Sequence, residues 1–294
     1  MKTKLVAVAA VAVLLTGCLG SFFPGGKTAT VEVYMTGTGT DPEGSVESLS
    51  AMAFESAQFK DEIKEVWVTI TEVQARRNDT WENMFNVPEG EGQINLMNLR
   101  FREELLGQGT IPAGNYTELR FQLRENGPDE EDWHNYVVLG DGSKVPLKIP
   151  SNELKPQMNI TVVEGTIDEW AFDVNHKYCT ELGYGDYNCN PRQMLRFMHR
   201  HEYGQISASI ELPSELVDWL SVEVQLFRTE ETEPFWSTIL EDGELELSLT
   251  SLPPGEYRLD ATVQLVDTLT IELSSGLFTI EPGLKEPIVI RPLP

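Results

Sequence analysis

Polar and apolar residues alternate along this chain with a period of two, and no window holds a clean apolar stripe of period 3.6 for three turns. From Thr28 to Met35, the apolar side carries Ala29, Val31, Val33 and Met35. Glu65 to Ala75 repeats the pattern through Val66, Val68 and Ile70, with a bulge expected near Val73. Tyr116 to Arg124 does so through Leu119, Phe121 and Leu123. Successive side chains of a strand point to opposite faces, so this period marks half-buried strands. A sheet with one apolar face must cover it with another layer. The pattern predicts an all-β fold made of antiparallel β-sandwiches.

Further strands are predicted at Phe85–Val87, Gln93–Leu96, Tyr136–Leu139, Lys144–Ile149, Asn159–Glu164, Asp168–Val174 and Leu195–Met198. Gly140-Asp141-Gly142-Ser143 is a hairpin signal. Asn98 to Leu106 is read as one or two helical turns ended by Gly107 and Gly109. From Gly204, GQISASIEL begins a second set of strands: one within Leu216–Arg228, then Phe235–Leu240 paired with Glu244–Thr250 across Asp242-Gly243. Leu252–Gly255 is a turn, followed by Tyr257–Val266, Thr268–Leu273, Leu277–Ile280 and Pro287–Ile290. The length has room for two ordinary domains or one large one. We read two tandem sandwiches, residues 28–203 and 204–294.

The chain opens MKTKLVAVAAVAVLLTGCLG. Lys2 and Lys4 precede an apolar run from Leu5 to Leu15, too short to span a bilayer but suited to the core of a signal peptide. Leu15-Thr16-Gly17-Cys18 resembles the lipobox of bacterial lipoproteins. That resemblance implies cleavage before Cys18 and lipidation of its thiol, with 1–17 a signal peptide and 18–27 a lipidated tether. Three acyl chains, which it also implies, exceed the two membrane signals that stable anchoring needs. No later stretch is long and apolar enough to span.

The chain holds 47 acidic and 22 basic residues, a formal net charge of -25. Such a charge repels phosphate backbones and anionic membrane surfaces, so nucleic acid is excluded as a partner. Residues 211–250 carry eleven Asp or Glu against Arg228 alone, read as a solvated sheet face with acidic loops.

The order EVWVTITEVQARR, GQINLMNL, LLGQGTIPAGNYTELRFQL, YVVLGDGSKVPLKIPSNELK and NITVVEGTIDEWAFDVN resembles the lipoprotein domain-of-unknown-function family 4382, over about residues 30–200. The resemblance implies a β-sandwich behind a lipobox and supplies no catalytic residues. The chain departs from that pattern in a longer loop after Met35 and in an insertion between Asp173 and Leu195. Leu245 to Val263, LELSLTSLPPGEYRLDATV, resembles carboxypeptidase-regulatory or transthyretin-like modules, which implies a structural or adhesive second domain.

Candidate chemistry gathers in the insertion. Cys179 and Cys189 lie ten positions apart in a polar loop, and an oxidising compartment favours their disulfide. Closing so small a loop is worth roughly 2–3 kcal/mol. Alternatively, His176, His199 and His201 flank this loop and suit zinc or copper. His199 and His201, two apart on a strand, would face one side. Asp129, Glu130, Glu131 and Asp132 lack the glycine-centred spacing of a calcium loop and read as a solvated loop. Trp81, Trp133, Tyr184 and Tyr187 are candidate glycan contacts, weighed against ordinary core edges. No nucleophile elbow, phosphate-binding glycine loop or zinc-protease helix is present, so neither an enzyme nor a cofactor is expected. The reading is a non-catalytic, extracytoplasmic surface or envelope lipoprotein with an adhesive or scaffolding role. Its partners would be the membrane, through lipid, and envelope or extracellular proteins or glycans. The alternative is a ligand-binding lipoprotein, for metal or glycan, using residues 176–201 and the loop aromatics.

Overall fold

The computed structural model describes residues 27–37, 63–174, 179–181, 187–190, 194–213, 219–229, 231–240, 244–265 and 270–292. The predicted signal peptide, Cys18, His176 and Tyr184 lie outside them. The fold is all-β. In chain order the strands are β1 (Thr28–Thr36), β2 (Ile63–Arg77), β3 (Thr80–Asn86), β4 (Gln93–Asn95), β5 (Glu103–Pro112), β6 (Gly114–Leu123) and β7 (Tyr136–Leu139). They continue with β8 (Lys144–Lys148), β9 (Glu153–Leu154), β10 (Gln157–Val162), β11 (Ile167–Val174), β12 (Cys179–Glu181), β13 (Tyr187–Cys189) and β14 (Leu195–Met198). After these come β15 (Gly204–Ile210), β16 (Trp219–Arg228), β17 (Trp236–Leu240), β18 (Glu246–Leu252), β19 (Gly255–Leu265), β20 (Thr270–Ile280) and β21 (Lys285–Pro292).

A four-stranded sheet in the order β14-β11-β1-β5 packs on a larger one in the order β10-β6-β2-β7-β8-β13-β12, to which β3, β4 and β9 are added. The alternation in β1 and β2 sends Val31, Val33, Val66, Val68 and Ile70 into one shared buried cluster. A second cluster is built from the seven-stranded path β17-β16-β19-β20-β21-β15-β18. The ladders are mixed where all-antiparallel pairing was predicted: β1 with β11, β8 with β13 and β15 with β21 run parallel. Parallel neighbours need a long crossover. Here most of the opposing sheet, β2–β4 and β6–β10, is laid down between β1 and β11.

Two local expectations fail for identifiable reasons. The helical turn falls at Leu96–Leu99, capped by Asn95, whose Oδ1 accepts from Met97 N at 3.1 Å, while Glu103–Leu106 is already strand. Gly107 and Gly109 do not stop a helix; they let β5 lie against β3. A Cβ on Gly107 would stand 2.6 Å from the Phe85 ring, and one on Gly109 2.5 Å from Met84 O. The expected pairing across Asp242-Gly243, residues that lie outside the described ones, is not made by the described strands. β17 pairs with β16 and β18 pairs with β15, at opposite ends of the sheet path, and both strands bury apolar residues in the second cluster.

Both clusters use one corner device. Pro112-Ala113-Gly114-Asn115-Tyr116 and Pro253-Pro254-Gly255-Glu256-Tyr257 share the pattern Pro-x-Gly-x-Tyr. In each the glycine takes a positive φ, 149° and 157°, in a region L side chains rarely adopt. Each phenol is fully buried and donates to the proline carbonyl four residues back, at 2.8 Å. This is the geometry of a tyrosine corner.

Candidate functional site

A set of polar contacts lies where the two clusters meet. Gly37, just past β1, accepts from Phe101 N at 2.6 Å and donates to Leu99 O at 2.8 Å. This holds Phe101 at a φ of 55°, and its ring leaves the first cluster for the second. There it is fully buried against Phe235, with ring centres 5.1 Å apart. Thr250 N donates to Phe101 O at 2.8 Å, and Arg100 Nη2 donates to Phe235 O at 2.8 Å.

Beside this clip, Glu103 receives Arg200 at 2.7 Å and Ser251 Oγ at 2.9 Å. Arg200 also meets Glu169 at 2.7 Å and lies 4.7 Å over the Tyr34 ring. Burial works against the Arg200 charge, but its hydrogen bonds to Glu103 and Glu169 prevail and hold its proton more tightly than in an ordinary arginine. Burial, followed by the hydrogen bond to Glu32, pushes the Tyr34 phenol up to about 12. Ser251 on Glu103 is the one arrangement at this junction resembling a hydroxyl nucleophile and its base. Arg200 occupies the same carboxylate and Ser251 is 2% exposed, so the hydroxyl is buried and its would-be base is already paired. An open cleft of about 890 Å³ adjoins it, lined by Arg102, Glu103, Glu244, Glu246, Ser248 and Thr250 among others. The clip and the Ser251–Glu103 bond tie the two clusters, and Arg200 braces Glu103 from the first.

The predicted site residues are scattered. Antiparallel pairing of β12 and β13 sets Cys179 opposite Cys189. Opposed residues in such a ladder have Cα atoms about 4.5–5.5 Å apart, within the span of a disulfide. His199 and His201 are not on a strand: β14 ends at Met198, and they flank Arg200 in a 3-10 turn, Arg200–Glu202. Both are exposed, with ring centres 5.4 Å apart. Among the described residues, no three of His, Cys, Asp and Glu converge as a metal group. The acidic loop holds a 3-10 turn, Glu130–Asp132, and is closed at its base by Asn126, whose Oδ1 accepts from His134 N and Asn135 N at 2.8 and 2.7 Å.

Tyr187 corrects the expected glycan surface. It is 1% exposed, because β13 pairs beside β8 and turns the ring into the first cluster. Trp81 and Trp133 are half-buried, and the Arg120 guanidinium lies 4.3 Å over the Trp81 ring. Sequence reasoning passed over another aromatic pair. Trp67 and Tyr136 face each other across β2 and β7, ring centres 6.1 Å apart, with Lys144 over Tyr136. It also passed over Phe101, which lies in no alternating run and gives no periodic signal. The repeated Pro-x-Gly-x-Tyr pattern was available to mark both corners.

Residues 28–191 match the family model described as Domain of unknown function (DUF4382). No curated protein matches the chain. Among solved structures, the chain is similar to a candidate cell adhesion protein from Bacteroides ovatus at 10% identity, covering 92% of this chain and 96% of that one, with a TM-score of 0.28. It is similar to the Bacillus anthracis TIE protein at 12% identity and a TM-score of 0.24, covering 90% of this chain and 34% of that one. The chain thus spans about a third of the TIE protein's length. A third likeness is to GBS52, the minor pilin of Streptococcus agalactiae, at 10% identity over 91% of this chain and 97% of that one, TM-score 0.21. At these scores none of the three likenesses carries an argument for this chain.

Proposed function

The chain belongs to the DUF4382 family, and from that premise we propose that it is a non-catalytic surface or envelope lipoprotein, anchored by lipid on Cys18 and serving as an adhesive or scaffolding body. The observation that carries this reading is the junction. The arginine and carboxylates that most resemble a reactive cluster are spent on structure: Arg200 braces Glu103 and Glu169 within the first β-structure, and Ser251 ties Glu103 to the second. A body whose paired polar groups serve as fasteners is suited to bearing and transmitting contact.

Under this proposal residues 1–17 are removed, 18–27 form the tether, and 28–203 and 204–294 are the two structural units. The second unit is transthyretin-like in kind. The Cys179–Cys189 disulfide belongs to the same reading, supported by the strand register that sets the two residues opposite. The lipobox residues Leu15-Thr16-Gly17-Cys18 support export and anchoring.

The experiment is fractionation of cells making the native chain or Cys18→Ser, followed by protease shaving of intact cells. The native chain should partition with membranes and be cut from outside, and Cys18→Ser should be lost from the membrane fraction. A native chain found in the cytosol, or equal membrane association of both forms, would overturn the proposal.

A further inference from the structure

The turn that joins β14 to β15 carries an arrangement that the structural role does not use. Arg200 is drawn inward by Glu103 and Glu169, each at 2.7 Å. With the middle residue of His199-Arg200-His201 fixed inside, its two neighbours stand outside, and both histidines are exposed. The backbone beneath them is tied. Glu202 N donates to His199 O at 2.9 Å, Tyr203 N to Arg200 O at 3.2 Å, and Gly283 N to Tyr203 O at 2.9 Å. The His199 ring is further steadied by the Phe197 ring, edge-on at 4.9 Å. Phe197 meets Phe172 at 5.7 Å, and Phe172 meets Phe121 at 5.3 Å in the first cluster. Neither imidazole is engaged in a hydrogen bond or ion pair among the described residues.

We infer that His199 and His201 form a binding site for a single divalent transition-metal ion of the zinc–copper class, completed by water. The separation of the two ring centres is close to what such a site needs. A metal bonded to one nitrogen of each ring at about 2.0–2.1 Å stands roughly 3.2 Å from each ring centre, so two rings sharing it at a tetrahedral angle have centres roughly 5.2 Å apart. The observed separation is 5.4 Å, with the rings tilted by 44°. Two neutral imidazoles with open positions for solvent suit zinc and, more tightly by the usual order of divalent ions, copper. The fixed turn means that little ordering is needed on binding, which favours affinity. Because the turn also touches the second cluster's β20–β21 connection through Gly283, an ion bound there would stabilise the folded chain by mass action.

The test is titration of the purified mature chain with Zn²⁺ and with Cu²⁺. Stoichiometry and affinity are read by calorimetry, and the copper ligands by electron paramagnetic resonance. Expected are one ion per chain, tighter binding of Cu²⁺, nitrogen ligation from two imidazoles and a higher melting temperature with metal. His199→Ala and His201→Ala should each weaken binding at least about tenfold while circular dichroism stays unchanged. The inference is overturned if neither metal binds, if the double substitution binds as tightly as the native chain, or if bound metal leaves on thiol alkylation instead.

Discussion

Tyr116 and Tyr257 do the same work at corresponding corners, and that work is measurable one hydroxyl at a time. Each phenol satisfies a proline carbonyl inside a fully buried corner. Removing it leaves that acceptor without its partner, so Tyr116→Phe and Tyr257→Phe should each cost roughly 1 kcal/mol in urea unfolding. An unchanged midpoint in both would show that the corners do not depend on the bond. Tyr34 is a second test. Its folded pKa, about 12, lies above the ordinary value of 10.0, first by burial and then through Glu32. A phenol with a raised folded pKa contributes stability that is fully present below about pH 10 and is lost as pH climbs through 12. Urea midpoints should therefore fall across that range, and Tyr34→Phe should flatten the fall. A native chain as stable at pH 12 as at pH 9 would contradict this.

Strands were legible because their signal is local. Val31 and Val33 alternate with polar neighbours whatever lies opposite, and β1, β2, β6, β7 and β14 fall within a residue or two of the predicted spans. Partner choice was not legible. The Asp242-Gly243 dipeptide looks like a hairpin, yet β17 and β18 find different neighbours, because pairing depends on strands distant in sequence. Gly107 and Gly109 misled for a similar reason, since the close approach they allow is to residues more than twenty positions away. Of the candidate site, the placing of His199 and His201 near one another was readable from spacing, but the inward Arg200 that presents them was not. Phe101 gave no signal at all, although it belongs to the second cluster while sitting in the first stretch of sequence. Its effect is testable. Phe101→Ala should lower stability by about 3–5 kcal/mol. A fragment of residues 204–294, lacking that ring, should melt well below the same residues in the full chain. A fragment as stable as the full chain would refute the clip.

The whole molecule combines a net charge of -25 with an all-β body. The charge argues against polyanionic partners, and the clip joins the two clusters. None of this anchors the chain to a membrane; the proposed anchor is chemical and sits at one thiol. The decisive measurement is the intact mass of the native product isolated from membranes, with peptide mapping of its first residues. The account predicts a chain beginning at Cys18 and heavier than its bare sequence by the mass of attached acyl groups. A product that retains residues 1–17, or one whose Cys18 carries no lipid, would contradict it.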